Sequence, residues 1–211
     1  MTTEGIIRNT ISEGEPTPQN TNEALVRTHF AAAAEAALSA GESMARDIVR
    51  AAQRVTDAFL NNHKLCVFGA NASGADAAYF VARLNGALEQ ARPALPAIHI
   101  HRDAALGSAG QDSSAAARQI RAVGNPNDVL LILCSDDDSR DIAAVIEAAR
   151  ERDMRLVLQG RSEVIRSIPT PTSSDATIIF TEQRIIRILE LQRIAIHALC
   201  DVIDSLLLGD G

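Results

Sequence analysis

Five short apolar runs constrain the fold of this chain more than any other feature. They are Lys64–Gly69, Leu95–His101, Asp128–Cys134, Met154–Gln159 and Asp175–Phe180. Helix-compatible stretches at Ser73–Gln90, Ser113–Val123 and Arg140–Arg152 lie between them. Runs that stay apolar at successive positions read as strands buried on both faces. Their alternation with helices predicts an α/β fold, with a mostly parallel sheet covered on both sides. Between Gly160 and Ser174 the pattern is unclear, because Pro169 and Pro171 force part of it into a loop. Strand order therefore stays open.

The flanks are helical. Ala24, Leu25, Phe30, Ala31, Ala34 and Leu38 support a helix from Asn20 to Gly41, with Gly41 as its expected stop. Met44, Ile48, Ala51, Val55, Phe59 and Leu60 support a second, from Ser43 to Asn61. The last helix, Glu182–Leu208, is apolar over more than one narrow stripe and needs more than one partner surface. A homo-oligomer is the expectation. Met1 to Gln19 reads as a flexible arm, and residues 20–211 as a single domain that includes the N-terminal helices.

A chain of 211 residues supports one well-buried domain. Aromatic residues make up only 3%, with no Trp and one Tyr, so Ala, Ile, Leu and Val must build the core. A net charge of -7 offers no basic footprint and argues against direct nucleic-acid binding. Cys66, Cys134 and Cys200 are widely spaced in apolar surroundings, which reads as buried thiols rather than a zinc cluster. There is no signal-type apolar region near Met1 and no run of membrane-spanning length. The expected setting is the cytoplasm, with no membrane association.

Two strand-to-helix corners are candidate sites. The first is Phe68-Gly69-Ala70-Asn71-Ala72-Ser73-Gly74-Ala75-Asp76, where small residues permit close backbone approach. It lacks the lysine and glycine spacing of a Walker loop. Ser73 serves either as a helix cap or as a hydroxyl donor to a ligand. The second corner is Ser135-Asp136-Asp137-Asp138-Ser139, whose three carboxylates occupy the positive potential that a phosphate would seek. Capping, a partner-facing surface and cation binding are all open readings of it. Among the histidines, His99 and His101 share one side of a strand, without the acidic or cysteine neighbours of a strong metal motif. His197, with Arg193 and Asp201 a turn away on either side, is either structural or a general acid–base group. No metal or cofactor is expected.

In order and spacing these segments resemble the sugar isomerase (SIS) domain family, in its phosphoheptose isomerase branch, from Thr28 to Leu208. The first corner resembles the family's first ligand loop, Arg92–Ile98 its next strand lead-in, and Gly124–Leu130 the approach to its second phosphate loop. Arg187 to Glu190, then His197, Cys200 and Asp201, resemble its final helix. The resemblance implies a three-layer αβα sandwich and ligand contacts from Asn71, Ser73, Ser135, Asp136, Asp137, Asp138 and Ser139. His197 falls at the branch's catalytic histidine. Arg83 stands where the branch has an acidic proton-transfer residue, and Leu189 where it has a glutamine. An acid–base pair is thereby lost, which argues against efficient isomerisation. The resemblance further implies a homotetrameric, non-enzymatic scaffold that docks a DnaA-type replication initiator. The alternatives are a sedoheptulose 7-phosphate isomerase or a sugar-phosphate-binding protein.

Overall fold

The computed structural model describes residues 18–86, 92–101, 114–135, 139–168, 172 and 174–209. Most of the expected arm and all of Asp136, Asp137 and Asp138 lie outside them; Ser139 is described in its backbone only. The chain divides into two units, Met1–Glu35 and Ala36–Gly211. The strands are β1 (Leu65–Gly69), β2 (Ala97–Ile100), β3 (Val129–Cys134), β4 (Arg155–Arg161) and β5 (Ala176–Phe180). The helices are α1 (Pro18–Leu60), α2 (Gly74–Asn85), α3 (Ala115–Val123), α4 (Ser139–Glu151), α5 (Ser162–Ser167) and α6 (Ile185–Leu208). All four strand pairings are parallel, in the order β2-β1-β3-β4-β5.

The pleat sorts each strand's side chains into two cores. Leu65, Val67, Val129, Leu131, Leu133 and Val157 face α2, α6 and the second half of α1. Cys66, Phe68, Leu130, Ile132, Leu156 and Leu158 face α3, α4 and α5. The fold is thus an αβα sandwich with long terminal helices. A fully buried Phe or Leu contributes about 1.5–3 kcal/mol, and Phe68, Phe80, Phe180 and Leu131 are among many such side chains here.

Two features differ from the sequence reading. α1 runs unbroken through Gly41, where two helices were expected. An added Cβ at Gly41 would meet nothing within 4 Å, and a single interior glycine costs a helix about 1 kcal/mol, too little to stop one of 43 residues. The unclear segment also contains α5, a single short turn ending just before its prolines.

Two buried carboxylates tie the strand entries together. Asp128 accepts from the backbone N–H groups of Lys64 (3.0 Å) and Asn125 (2.8 Å), and pairs with the Lys64 ammonium. It thereby pins the start of β1 to the start of β3. Asp175 does the same for β4 and β5, accepting from Leu156 N–H, Thr172 N–H, the Thr172 hydroxyl and Arg150.

Candidate functional site

Strand order locates the site. From β1 the chain crosses to β2 on one side, and from β3 to β4 and β5 on the other. The reversal falls between β1 and β3, and in open parallel sheets the crevice outside the carboxyl ends of such strands is where ligands bind. β1 ends at Gly69 and passes through a single 3₁₀ turn, Asn71–Ser73, into α2. A Cβ on Gly69 would stand 2.3 Å from the Ser73 carbonyl oxygen, so the turn folds back against the strand only because that residue is glycine. Asn71 is exposed and takes a left-handed φ of 43°, which asparagine tolerates better than most residues.

The two corners meet through their serines. The Ser73 hydroxyl lies 2.9 Å from Ser135 Oγ and 3.2 Å from Gln192 Oε1, so its single proton serves one or the other. It does not cap α2. Ser73, Ser135 and Gln192 are all fully buried. Gln192 in turn donates to Asp76 Oδ2 (2.7 Å), while Arg193 donates to Asp76 Oδ1 through Nε (2.9 Å) and its terminal nitrogen. The carboxylate in the first turn of α2 is therefore charge-compensated from α6. Gln159 on β4 donates to the Gln192 carbonyl (3.3 Å), which adds a third element to the buried polar cluster.

Further along the same seam, the Arg193 guanidinium sits 3.9 Å above the centroid of Tyr79, a cation–π contact. The Tyr79 hydroxyl lies 2.8 Å from His197 Nε2. Arg83 hydrogen-bonds the Cys200 thiol, whose pKa is pushed up to about 11, chiefly by burial. Asp76, Tyr79 and Arg83 on α2 thus face Arg193, His197 and Cys200 on α6. Their spacings, three and four residues on each helix, place each set along one face. The pairing of a phenol with an imidazole makes an acid–base-capable contact, although no carboxylate joins it at Arg83.

Of the residues expected to bind a ligand, the structure brings Ser73 and Ser135 together and leaves Asn71 at the exposed rim. His197 lies further along the seam with Tyr79 as its partner, rather than the helical neighbour Asp201. Asp76, Tyr79, Gln192 and Arg193 were missed as site residues. Their signal was present as polar side chains at helical spacing on otherwise apolar helices. A cavity of about 80 Å³ also occurs, at the carboxyl end of β5, lined by Ser39, Ser43, Phe180, Thr181, Glu182 and Leu191. It lies two strands from the Ser73–Ser135 pair.

The SIS domain family model matches residues 29–158. The chain belongs to the SIS-domain family. A phosphoheptose isomerase of Methylibium petroleiphilum is 34% identical over 193 residues, spanning 89% of this chain and 96% of that protein. The DnaA initiator-associating protein DiaA of Edwardsiella ictaluri is 33% identical over 194 residues, spanning 84% of this chain and 93% of its own. Among solved structures, a phosphoheptose isomerase from Francisella tularensis superposes with a TM-score of 0.78 at 26% identity, covering 87% of this chain and 98% of that one. Both names of the SIS branch recur among the relatives, so kinship places this protein in the phosphoheptose isomerase/DiaA branch.

The Tyr79–His197 contact of this SIS domain is open to a direct test. Tyr79→Phe keeps the ring beneath Arg193 and removes only the hydroxyl. It should lower unfolding free energy by about 0.5–1.5 kcal/mol, the net worth of one hydrogen bond. Tyr79→Leu should lose further stability through the cation–π contact. Equal urea midpoints for wild type and Tyr79→Phe would show that the bond contributes nothing in solution.

Proposed function

We propose that this protein binds a phosphorylated sugar at the β1/β3 reversal and does not isomerise it efficiently. The observation that carries the reading is the meeting of two strand-to-helix corners at Ser73 and Ser135. The start of α2, which Ser73 does not cap, lies beside that hydroxyl pair. The kinship to phosphoheptose isomerases supports a sugar phosphate as the ligand class. Arg83, in place of a carboxylate, supports the absence of efficient turnover, because a cation cannot take a proton from carbon.

Calorimetric titration with sedoheptulose 7-phosphate and with a hexose 6-phosphate, alongside NMR detection of product, tests both halves. Saturable binding without conversion is expected. Absence of saturation would remove the binding site. Rapid conversion that His197→Ala abolishes would make the protein an isomerase.

A second reading is a homotetrameric scaffold for a DnaA-type initiator in the cytoplasm. It is supported by three relatives named DiaA, 31–33% identical. It is supported too by the exposed Ile185, Ile186, Ile194, Leu206 and Leu208 on α6, which suit subunit contacts. The three buried cysteines, none of them in a disulfide, fit a reducing compartment. Light-scattering mass, measured with and without the initiator, separates this reading from the first. A well-formed tetramer that shows no association would dispose of the scaffold.

A further inference from the structure

β2 is an edge strand of the sheet, and its outer end carries two imidazoles. His99 and His101 stand at alternate positions, so the strand projects them toward the same side. Their ring centroids are 4.2 Å apart with an interplanar angle of 61°. We propose that His99 and His101 chelate one divalent transition-metal ion of the Zn²⁺, Ni²⁺ and Cu²⁺ group.

Imidazole nitrogens bind such ions at about 2.0–2.1 Å, and two rings whose centroids lie 4.2 Å apart are within reach of one ion once their nitrogens turn toward it. The backbone beneath them is fixed. His99 lies in ladder register with Val67. His101 is held by the side chain of Gln119, which accepts from its N–H (3.1 Å) and donates to its carbonyl (3.0 Å). Two donors whose backbone is already ordered lose little freedom on binding. His99 is half-buried and His101 exposed, so an ion has access from solvent.

Ligand chemistry sets the selectivity. Among the described residues, no third His, Cys, Asp or Glu completes a cluster here. The remaining coordination positions are open to other ligands. The two imidazoles themselves favour Cu²⁺, Ni²⁺ and Zn²⁺ over the oxygen-seeking Mg²⁺ and Ca²⁺. The pair shares no residue with the Ser73–Ser135 contact, and the inference stands whether or not that corner holds a sugar.

Titration of the tag-free protein with NiCl₂ and CuCl₂ at pH 7.5, followed by calorimetry, tests the assignment. Expected are one ion per chain at this site, tighter binding of Cu²⁺ than of Ni²⁺, and no heat from MgCl₂. His101→Ala replaces an exposed side chain and should leave the circular dichroism spectrum unchanged. It should weaken Ni²⁺ by at least about tenfold, the lower end of what losing even an outer-shell partner does. His99→Ala should do the same, and His63→Ala, away from the site, should change nothing. A folded wild type that takes up no Ni²⁺ would overturn the proposal. So would an affinity that His101→Ala leaves intact, since the two rings would then be merely stacked.

Discussion

Asp175→Ala should destabilise the protein by about 3 kcal/mol at neutral pH, lowering the melting temperature by roughly 6–12 °C for a chain of this size. The Asp175 side chain is completely buried, and Arg150 opposite it is about one-third exposed at 34%. Removing the carboxylate strands the buried Leu156 N–H, which then bears its desolvation penalty, and releases the N–H of the exposed Thr172, so the loop before β5 loses its anchor. Arg150 escapes part of the penalty by turning to water, so the loss falls short of that for a fully enclosed pair.

The pH dependence supplies a second signature. Burial opposes ionisation of Asp175. The bonds from Arg150, the Thr172 and Leu156 N–H groups and the Thr172 hydroxyl outweigh it, and hold the pKa below the usual aspartate value. A depressed folded pKa contributes stability above the unfolded value, about 3.9. That contribution is lost as pH falls through the lower, folded value. The wild type should therefore lose stability steeply in acid below about pH 4, with a shallower slope in Asp175→Ala. Parallel melting-temperature profiles from pH 7 to pH 2.5 would contradict the assignment.

Gly69→Ala should have the largest effect on the site itself. The new methyl would lie 2.3 Å from the Ser73 oxygen, 2.6 Å from the Ser73 carbonyl carbon and 2.8 Å from Gly74 Cα. All three are backbone atoms, so no rotamer change relieves the clash and the 3₁₀ turn must move. Overpacking of this kind costs about 1–3 kcal/mol. It would also carry Ser73 and the start of α2 away from Ser135, and sugar-phosphate affinity should fall at least tenfold, roughly 1.4 kcal/mol. Gly41→Ala is the control: it sits in open space within α1 and should gain up to about 1 kcal/mol. If Gly69→Ala bound the ligand as tightly as wild type does, the first corner would have no part in recognition.

Much of the architecture was legible in the sequence because burial on both faces leaves a plain mark. Each of the five apolar runs became a strand, displaced by at most a few residues at its ends. Gly41 misled because glycine's penalty is local and small, while the tertiary packing of Met44, Ile48, Ala51 and Val55 carries the helix on. Strand order was not legible, since it depends on which way each crossover turns rather than on any segment's own pattern. The site was legible in halves. Ser73 and Ser135 were each legible at a strand-to-helix corner, but their bond joins residues 62 apart, and nothing local announces it. Gln192 and Asp76 lay hidden for the same reason. His197 suggested its neighbours on the same helix, whereas its partner came from another.

That last pairing has a consequence for how the protein matures during synthesis. Tyr79 and His197 are separated by 118 residues, and Asp76 and Arg193 by 117. A nascent chain emerging from the ribosome can form β1, the first corner and α2 while the segment that must close over them is still untranslated. The loop to be closed is long, and its entropy is repaid only by the final contacts. Competence at this site therefore waits until α6 has been made and docks.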